Sequence, residues 1–236
     1  MKRKAILLTT LLLAAAMTAA AQDKLETTLG ADIVSRYIWR GQDLGQVSVQ
    51  PTVGIGYRGL SLSAWGSVGL SHPSDTKEFD LTLGYTLGGF NIGVMDYWFD
   101  AGPDPENRYF KYDAGGTNHV FEATVGYDFG FASLQWSSNF WGNDLVESTG
   151  KQAFSSYFEI NVPFRLGGAE WTATAGAVPF ATAFYGTSGF AVTNIALKAA
   201  KDIRITDTFS IPVFVQIAAN PDTRKAYLVL GLTLQP

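Results

Sequence analysis

Short segments in which apolar and polar residues alternate one for one make up most of the chain. In the last of them, Leu228, Leu230, Leu232 and Leu234 share one side, and Tyr227, Val229, Gly231 and Thr233 share the other. A repeat of two residues is the repeat of a β-strand. The pattern predicts about twelve strands, near residues 25–38, 46–57, 60–70, 78–87, 90–99, 118–129, 131–141, 153–165, 169–180, 190–200, 208–218 and 225–235.

Two kinds of connection alternate between these segments. Glycine-rich positions typical of tight hairpins stand at 58–59, 88–89, 130 and 167–168. Longer polar loops separate them, at 41–46, 71–77, 100–117, 142–152, 185–189 and 220–224. Only the 201–207 connection breaks the rhythm, because it should be short and is not. Short turns alternating with long loops favour an all-β fold, a single antiparallel transmembrane β-barrel of about 12 strands, with N and C termini periplasmic.

The N-terminus predicts export. Three basic residues precede an apolar run from Ala5 to about Met17, and a Thr-Ala-Ala-Ala stretch ends at Ala21. This is the form of a signal peptide at residues 1–21, and cleavage leaves one domain, 22–236, in the cell outer membrane. A membrane anchor is the alternative, but the run is shorter than the ~20 residues that cross a bilayer.

Composition narrows the function classes. Without the leader's three basic residues, 14 of the 17 lysine and arginine residues remain against 21 acidic residues, which disfavours nucleic-acid binding. The absence of cysteine excludes disulfides and zinc–thiolate sites. We expect no cofactor and no metal. The expected partners are outer-membrane lipids, periplasmic chaperones, the barrel-assembly machinery and small hydrophilic solutes. A secreted β-sandwich is disfavoured, since one small core would have to bury twelve apolar faces.

Charged residues on the strands fall on the side opposite the apolar set. A charge on the lipid face at mid-bilayer costs about 2–4 kcal/mol, so these residues are expected to face the lumen. Tyr37 and Trp39 share the outward side of the first strand and suit the interfacial aromatic belt. Asp96 shares its side with apolar residues, and its facing stays open. The candidate pore-lining residues are Asp32, Arg36, Arg40, Arg58, Glu78, Asp80, Glu122, Asp128, Glu159 and Arg165.

One string of residues suggests a family. The first strand ends Ser-Arg-Tyr-Ile-Trp-Arg-Gly at 35–41, followed by Trp-Gly-Ser at 65–67 and Glu-Phe-Asp at 78–80. This order resembles the TorF family of porins, also known as the Gcw_chp outer-membrane proteins. The resemblance implies an outer-membrane barrel of porin type and names no solute. Many such barrels end on an aromatic residue, whereas this chain ends Leu-Gln-Pro.

Three functions remain open. The first is a passive channel for small hydrophilic solutes or ions, with Arg36 and Arg40 forming a basic step that faces Glu78 or Asp80 across the lumen. The second is a closed barrel that serves as a structural or adhesion scaffold, in which charge pairs fill the lumen and the arginines hold the barrel mouth. The third is a hydrolase at the rim.

The chemistry of an enzyme is sparse. His119, with Asp96 or Asp113, is the candidate for a hydrolase site, and His72 lies in an external loop. Common nucleophile, zinc and nucleotide motifs do not occur, so we expect no enzyme. The loop 100–117 carries acidic residues that suit Ca²⁺, and the same loop is a candidate constriction of the pore. Its acidic residues are Asp100, Asp104, Glu106 and Asp113.

Overall fold

The computed structural model describes residues 25–71, 75–100, 107–113 and 116–236, and its regular structure there is entirely β. The predicted signal peptide, residues 1–21, lies outside the described residues. Within the described ranges, no helix is long and apolar enough to cross a membrane. The strands are β1 (Glu26–Val34), β2 (Tyr37–Trp39), β3 (Gln42–Gly45), β4 (Ser48–Tyr57), β5 (Leu60–Gly69), β6 (Lys77–Leu87), β7 (Phe90–Asp100), β8 (His119–Asp128), β9 (Ser133–Gly142), β10 (Ser156–Leu166), β11 (Ala169–Val178), β12 (Ala191–Arg204), β13 (Ser210–Asn220) and β14 (Lys225–Leu234).

Twelve of these strands close into one antiparallel barrel, as the alternation predicts. Each strand pairs with its neighbour in the chain, and β1 completes the ring by pairing with β14 on one side and β4 on the other. In that closing ladder Val34 lies opposite Ser48. β2 and β3 stand outside the ring and form a separate two-stranded hairpin.

Two predicted boundaries were wrong. The first strand was expected to run to residue 38, but β1 ends at Val34 and the chain leaves the barrel wall there. The long connection expected at 201–207 is instead mostly strand. β12 continues to Arg204, which lies opposite Ser210, so a short turn at 205–209 joins it to β13. The alternation of short and long connections therefore holds from β4 to β12, but the turn at 205–209 is slightly longer than the loop-end connection at 221–224.

The two faces of the wall differ as the sequence predicts. On β14, Leu228 and Leu230 are 58% and 54% exposed, while Tyr227 and Val229 are 9% and 4% exposed. Large apolar side chains left in contact with the surroundings on strand after strand are the mark of a surface that faces lipid. Because the ring is closed, each of its twelve strands has a paired neighbour on both sides and none is an edge strand.

The barrel has two dissimilar ends. We call the end with the tight turns, such as 58–59 and 167–168, the turn end. The opposite end, which carries the connections 70–76, 101–118, 143–155 and 179–190, is the loop end. Both β1 at its start and β14 at its finish lie at the turn end.

Candidate functional site

Residues 35–47, the inner hairpin, fold from the loop end into the barrel. Its tight turn is Arg40-Gly41, whose φ angles of 50° and 79° are those of a two-residue type I′ turn. The tip contacts the inner side of the wall at β13, where Asn220 Nδ2 donates to the Gly41 carbonyl at 3.1 Å. A Cβ on Gly41 would lie 1.8 Å from the Thr193 carbonyl oxygen, so only glycine fits at the tip.

Arg40 fixes the tip from the other side. Its guanidinium donates to both carboxylate oxygens of Glu122, at 2.5 and 2.8 Å. It also donates to the Tyr185 hydroxyl at 2.5 Å and to Ser137 Oγ at 3.0 Å. The ring of Tyr157 lies 4.7 Å from the guanidinium carbon. Strands β8, β9 and β10 and the 179–190 loop therefore all hold one side chain of the inner hairpin.

This ion pair is deeply buried. The Glu122 side chain is fully buried, and the Arg40 side chain is 8% exposed. Burial acts to lower the pKa of Arg40, but the neighbouring Tyr185, Tyr97 and Glu122 outweigh burial and raise it above its ordinary value. The arginine stays charged, and breaking this contact would leave one buried charge without a partner.

The aromatic residues of the inner hairpin lie inside the barrel, so the prediction that Tyr37 and Trp39 face lipid was wrong. Tyr37 donates its hydroxyl to Glu78 Oε2 at 2.9 Å, and its ring packs 5.5 Å from that of Trp65. Trp39 packs against Tyr97, with ring centroids 5.6 Å apart. The alternation that the sequence shows beyond Val34 belongs to a hairpin in the lumen and not to the wall.

The base of the inner hairpin is tied to the loop end. Arg36 forms an ion pair with Asp43 at 2.7 Å across the hairpin, and its guanidinium carbon lies 5.7 Å from the centroid of the Tyr227 ring. The backbone of Leu44 accepts a hydrogen bond from Thr76 at 3.0 Å. Arg36 and Arg40 thus pair with Asp43 and Glu122, and not with Glu78 or Asp80 as the sequence suggested.

Four of the predicted pore residues meet at the level of the inner hairpin. These are Arg40, Glu122, Glu78 and Asp80, and all four are buried or nearly so. Asp32 and Glu159 lie on the inner wall, where they accept hydrogen bonds from Thr233 at 2.6 Å and from Tyr157 at 2.7 Å.

Three of the predicted pore-lining residues, Arg58, Asp128 and Arg165, lie at the turn end. Arg58 occupies the β4–β5 turn with its guanidinium over the Tyr57 ring. Asp128 accepts a hydrogen bond from the Gly130 amide in the next turn at 2.7 Å. Arg165 pairs with Glu170 at 2.7 Å, and both side chains are mostly exposed. The structure therefore separates these three from the buried group around the inner hairpin.

The lumen is filled at one level and open at another. At the level of the inner hairpin, Ser67, Glu122 and Asn139 face inward and are completely buried. Nearer the turn end, the inward-facing Thr82 and Thr124 remain partly exposed. Eight strands already leave an interior that side chains fill, and twelve enclose more space. The turn-end half of the lumen, which we call the vestibule, is accordingly open to solvent.

Asp96, whose facing the sequence left open, points outward from the barrel. Its Oδ1 lies 2.7 Å from His119 Nδ1. The loop residues Tyr109 and Tyr112 cover this pair on the outer face, with the Tyr112 ring centroid 4.2 Å from that of His119. The described part of the 101–118 loop thus packs outside the barrel, so the expectation that this loop constricts the pore is not met there; residues 101–106 lie outside the described residues.

The geometry gives no support to a hydrolase at this place. In a hydrolase, the second ring nitrogen of the histidine would activate a hydroxyl or a water. In this structure the second ring nitrogen of His119, Nε2, instead contacts the Tyr109 carbonyl oxygen at 2.5 Å. His72 lies outside the described residues, as do Asp104 and Glu106 of the calcium hypothesis. Within the described ranges, no group of three or more histidine or acidic residues is arranged to hold a metal ion.

The two-residue repeat of the strands does not identify several residues of the site. Tyr185 lies in a loop, and Asn139 and Tyr157 look like ordinary wall residues. A usable signal exists for the inner hairpin itself: Arg40-Gly41 stands between Tyr-Ile-Trp and Gln-Asp-Leu, which is the pattern of two short strands around a two-residue turn.

Fold and site together define a transmembrane β-barrel whose lumen holds an inward-folded hairpin. The chain belongs to the Gcw_chp family: residues 18–206 match the family described as "Bacterial protein of unknown function (Gcw_chp)". The family expected from the 35–41 string is thereby confirmed, and the TorF name stays a prediction.

Two solved structures with a similar outline are outer-membrane proteins of Pseudomonas. The COG4313 outer membrane channel from Pseudomonas putida F1 is 12% identical, with a TM-score of 0.45, over 92% of this chain and 96% of that one. The outer membrane protein opdK from Pseudomonas aeruginosa is 11% identical, with a TM-score of 0.38, over 90% of this chain and 66% of that one. No curated protein sequence matches the chain.

Proposed function

We propose that this protein is an outer-membrane channel that passes small hydrophilic solutes or ions through a charged lumen. The observation that carries the proposal is the closed barrel with an apolar outer face and a vestibule whose inward-facing residues are partly exposed. A spanning barrel satisfies every backbone hydrogen bond in lipid, and a polar interior suits water and solutes. In this arrangement the turn end and both termini are periplasmic and the loop end is external. Chaperones and the barrel-assembly machinery would deliver the chain after removal of residues 1–21.

On this path the inner hairpin occupies the level at which the lumen is filled. It leaves the wall between β1 and β4 and contacts Asn220 on β13, Glu78 on β6 and Glu122 on β8. Solutes entering from outside must pass between the inner hairpin and the wall. The polar groups there, which include three carboxyl groups and one guanidinium, set which solutes enter.

The same contacts favour a second candidate, a closed barrel that serves as a scaffold. If the inner hairpin never leaves its position, it seals the lumen.

Recordings on purified protein in planar lipid bilayers separate the two candidates. The informative variant replaces residues 36–46 with Asn-Gly, a two-residue turn that suits the Val34–Ser48 pairing already present. Current steps from the unaltered protein that grow in the variant support the channel. Steps from the variant alone support the sealed scaffold, and silence from both rejects the channel.

A further inference from the structure

A groove in the outer face of the barrel, which we call the wall groove, lies close to the turn end. It crosses β12, β13 and β14 and has a volume of about 430 Å³. Ala199 leaves room for it, because this short side chain stands between Trp171 on β11 and Val215 on β13 in the paired ladders. The outward side chains that line the wall groove are Ala199, Lys201, Ile203, Val213, Val215 and Leu230. All of them except Lys201 are apolar.

The neighbouring aromatic side chains give the wall groove its level in the membrane. Trp171 lies opposite Ala199 and stacks on Phe164, with ring centroids 6.0 Å apart. Aromatic side chains of transmembrane barrels concentrate where the hydrocarbon meets the lipid headgroups. Lys201 lies two residues nearer the turn end, which is about 7 Å further along the strand. The lysine therefore stands at headgroup level, while the Ala199 end of the wall groove borders the acyl chains.

Lys201 brings a positive charge to the outer face. Its side chain is exposed, and no carboxylate of the described residues pairs with it. The acidic residues close to it in the ladder are Glu170 and Asp202. Both lie on the inner face by the two-residue repeat, and Glu170 pairs with Arg165. A lysine in this position at the edge of the lipid attracts anionic headgroups.

The belt of outward aromatic residues changes character at the same place. Around the turn end from β4 to β11, its members include Tyr57, Tyr127, Phe164 and Trp171. On β12, β13 and β14 the row at this level consists of Lys201, Val213 and Leu232 instead. A slot beside a cation thus takes the place of bulky rings, and it fits an acyl chain below its phosphate group.

We propose that the wall groove binds one anionic glycerophospholipid, with the phosphate on the Lys201 ammonium and an acyl chain along Ala199, Val215 and Leu230. Because the surrounding lipid is equally apolar, the chain is held by van der Waals contact with the wall groove. The ammonium and phosphate form a charge-assisted pair, which selects the anionic headgroup. The site rests on the membrane placement within the proposed function, and not on whether the lumen conducts.

Native mass spectrometry of the detergent-purified protein tests this binding. The probes are phosphatidylglycerol, which is anionic, and phosphatidylcholine, which has no net charge. We expect the unaltered protein to retain one phosphatidylglycerol in preference to phosphatidylcholine. Lys201→Gln should weaken phosphatidylglycerol binding about tenfold and remove the preference. Ala199→Phe, which fills the wall groove, should weaken the binding of both lipids.

Two variants outside the wall groove are the matched controls. Lys151→Gln removes an exposed lysine at the loop end, and Ala175→Phe adds the same ring to the lipid face of β11. Both should bind phosphatidylglycerol as the unaltered protein does. Heat-dependent migration on a denaturing gel shows whether each variant is folded. Lys201→Gln changes only an exposed side chain, so it decides the proposal even if Ala199→Phe does not fold.

Three results would overturn the proposal. The first is equal phosphatidylglycerol binding by Lys201→Gln and the unaltered protein. The second is a preference for lipopolysaccharide over phosphatidylglycerol, which would place the wall groove in the other leaflet. The third is a dimer in detergent that retains no lipid and that Ala199→Phe dissociates, because a second copy would then cover the wall groove. Bilayer recordings decide the channel separately: a protein that binds the lipid and does not conduct loses the channel proposal and keeps this site.

Discussion

Adding one methyl group to Gly41 should release the inner hairpin. Its Cβ would lie 1.8 Å from the Thr193 carbonyl oxygen, which belongs to the backbone of β12 and cannot rotate away. The tip must therefore retreat by more than about 1.5 Å to reach ordinary contact. Gly130→Ala is the matched control: its φ of 83° is close to the 79° of Gly41, and nothing lies within 4 Å of its Cβ position.

The size of the effect follows from what the retreat breaks. Both variants pay about 1–2 kcal/mol for a left-handed alanine. Only Gly41→Ala adds an overpacking cost of about 1–3 kcal/mol and the loss of the Asn220 hydrogen bond, about 1 kcal/mol. The difference of about 2–4 kcal/mol shifts the balance between docked and released hairpin by about 30- to 1000-fold, at 1.4 kcal/mol for each factor of ten.

Limited trypsin digestion measures this balance at Arg40, whose side chain is 8% exposed and becomes accessible only when the inner hairpin leaves the lumen. We expect Gly41→Ala to be cut after Arg40 much faster than the unaltered protein or Gly130→Ala, with fragments identified by mass. Heat-dependent gel migration should show that the barrel itself is intact in all three. Equal cleavage of Gly41→Ala and Gly130→Ala would refute the tight fit of the tip.

Three further outcomes follow from the structure. A membrane-impermeant thiol reagent should label Thr82→Cys, which faces the vestibule, and spare its neighbour Leu81→Cys, which faces lipid; equal labelling in liposomes would contradict the assignment of faces. Burial and then Glu78 raise the pKa of Tyr37 well above its ordinary value, so docking keeps its full strength below about pH 10 and weakens above it. The difference between the ultraviolet titration curves of the unaltered protein and Tyr37→Phe should accordingly show no tyrosinate forming near pH 10. A titration midpoint near pH 10 in this difference curve would be evidence against the buried contact. His119→Ala leaves the Asp96 carboxylate buried without its partner, which costs about 1–3 kcal/mol. The unfolding temperature should fall, and the double variant Asp96→Ala/His119→Ala should recover part of the loss.

The wall of the barrel follows from sequence because each strand obeys one local rule. Leu228 and Val229 differ in facing only because the strand repeat is two residues, and the same rule holds around the ring except at the bulges in the β8–β9 and β11–β12 ladders. The interior of the lumen obeys no such rule. Whether Tyr37 meets lipid or Glu78 depends on where the chain turns inward, and this turn depends on a wall contact with Thr193, some 150 residues away in sequence.

Asp96 shows the same limit in another form. Its neighbours on β7 predict an outward facing, and its charge predicts an inward one, so the sequence leaves the choice open. The structure satisfies both by covering Asp96 with His119 and the 107–113 stretch of loop. A charge on the outer face becomes acceptable once a partner and a cover remove it from lipid. Neither the partner nor the cover is adjacent in sequence.

The direct pairing of β1 with β4 has a consequence for how such proteins diversify. Residues 35–47 leave the ring at Val34 and return at Ser48, two positions that are already hydrogen-bonded neighbours. Only its two end residues join the wall, where Ser35 bonds to Leu230 of β14 and Val47 bonds to Leu70. Mutation, lengthening or exchange of residues 36–46 should therefore leave the lipid-embedded cylinder able to assemble. The part of the chain that fills the lumen and the part that faces lipid are thereby encoded in separable stretches of the gene, and one can change while the other is held constant.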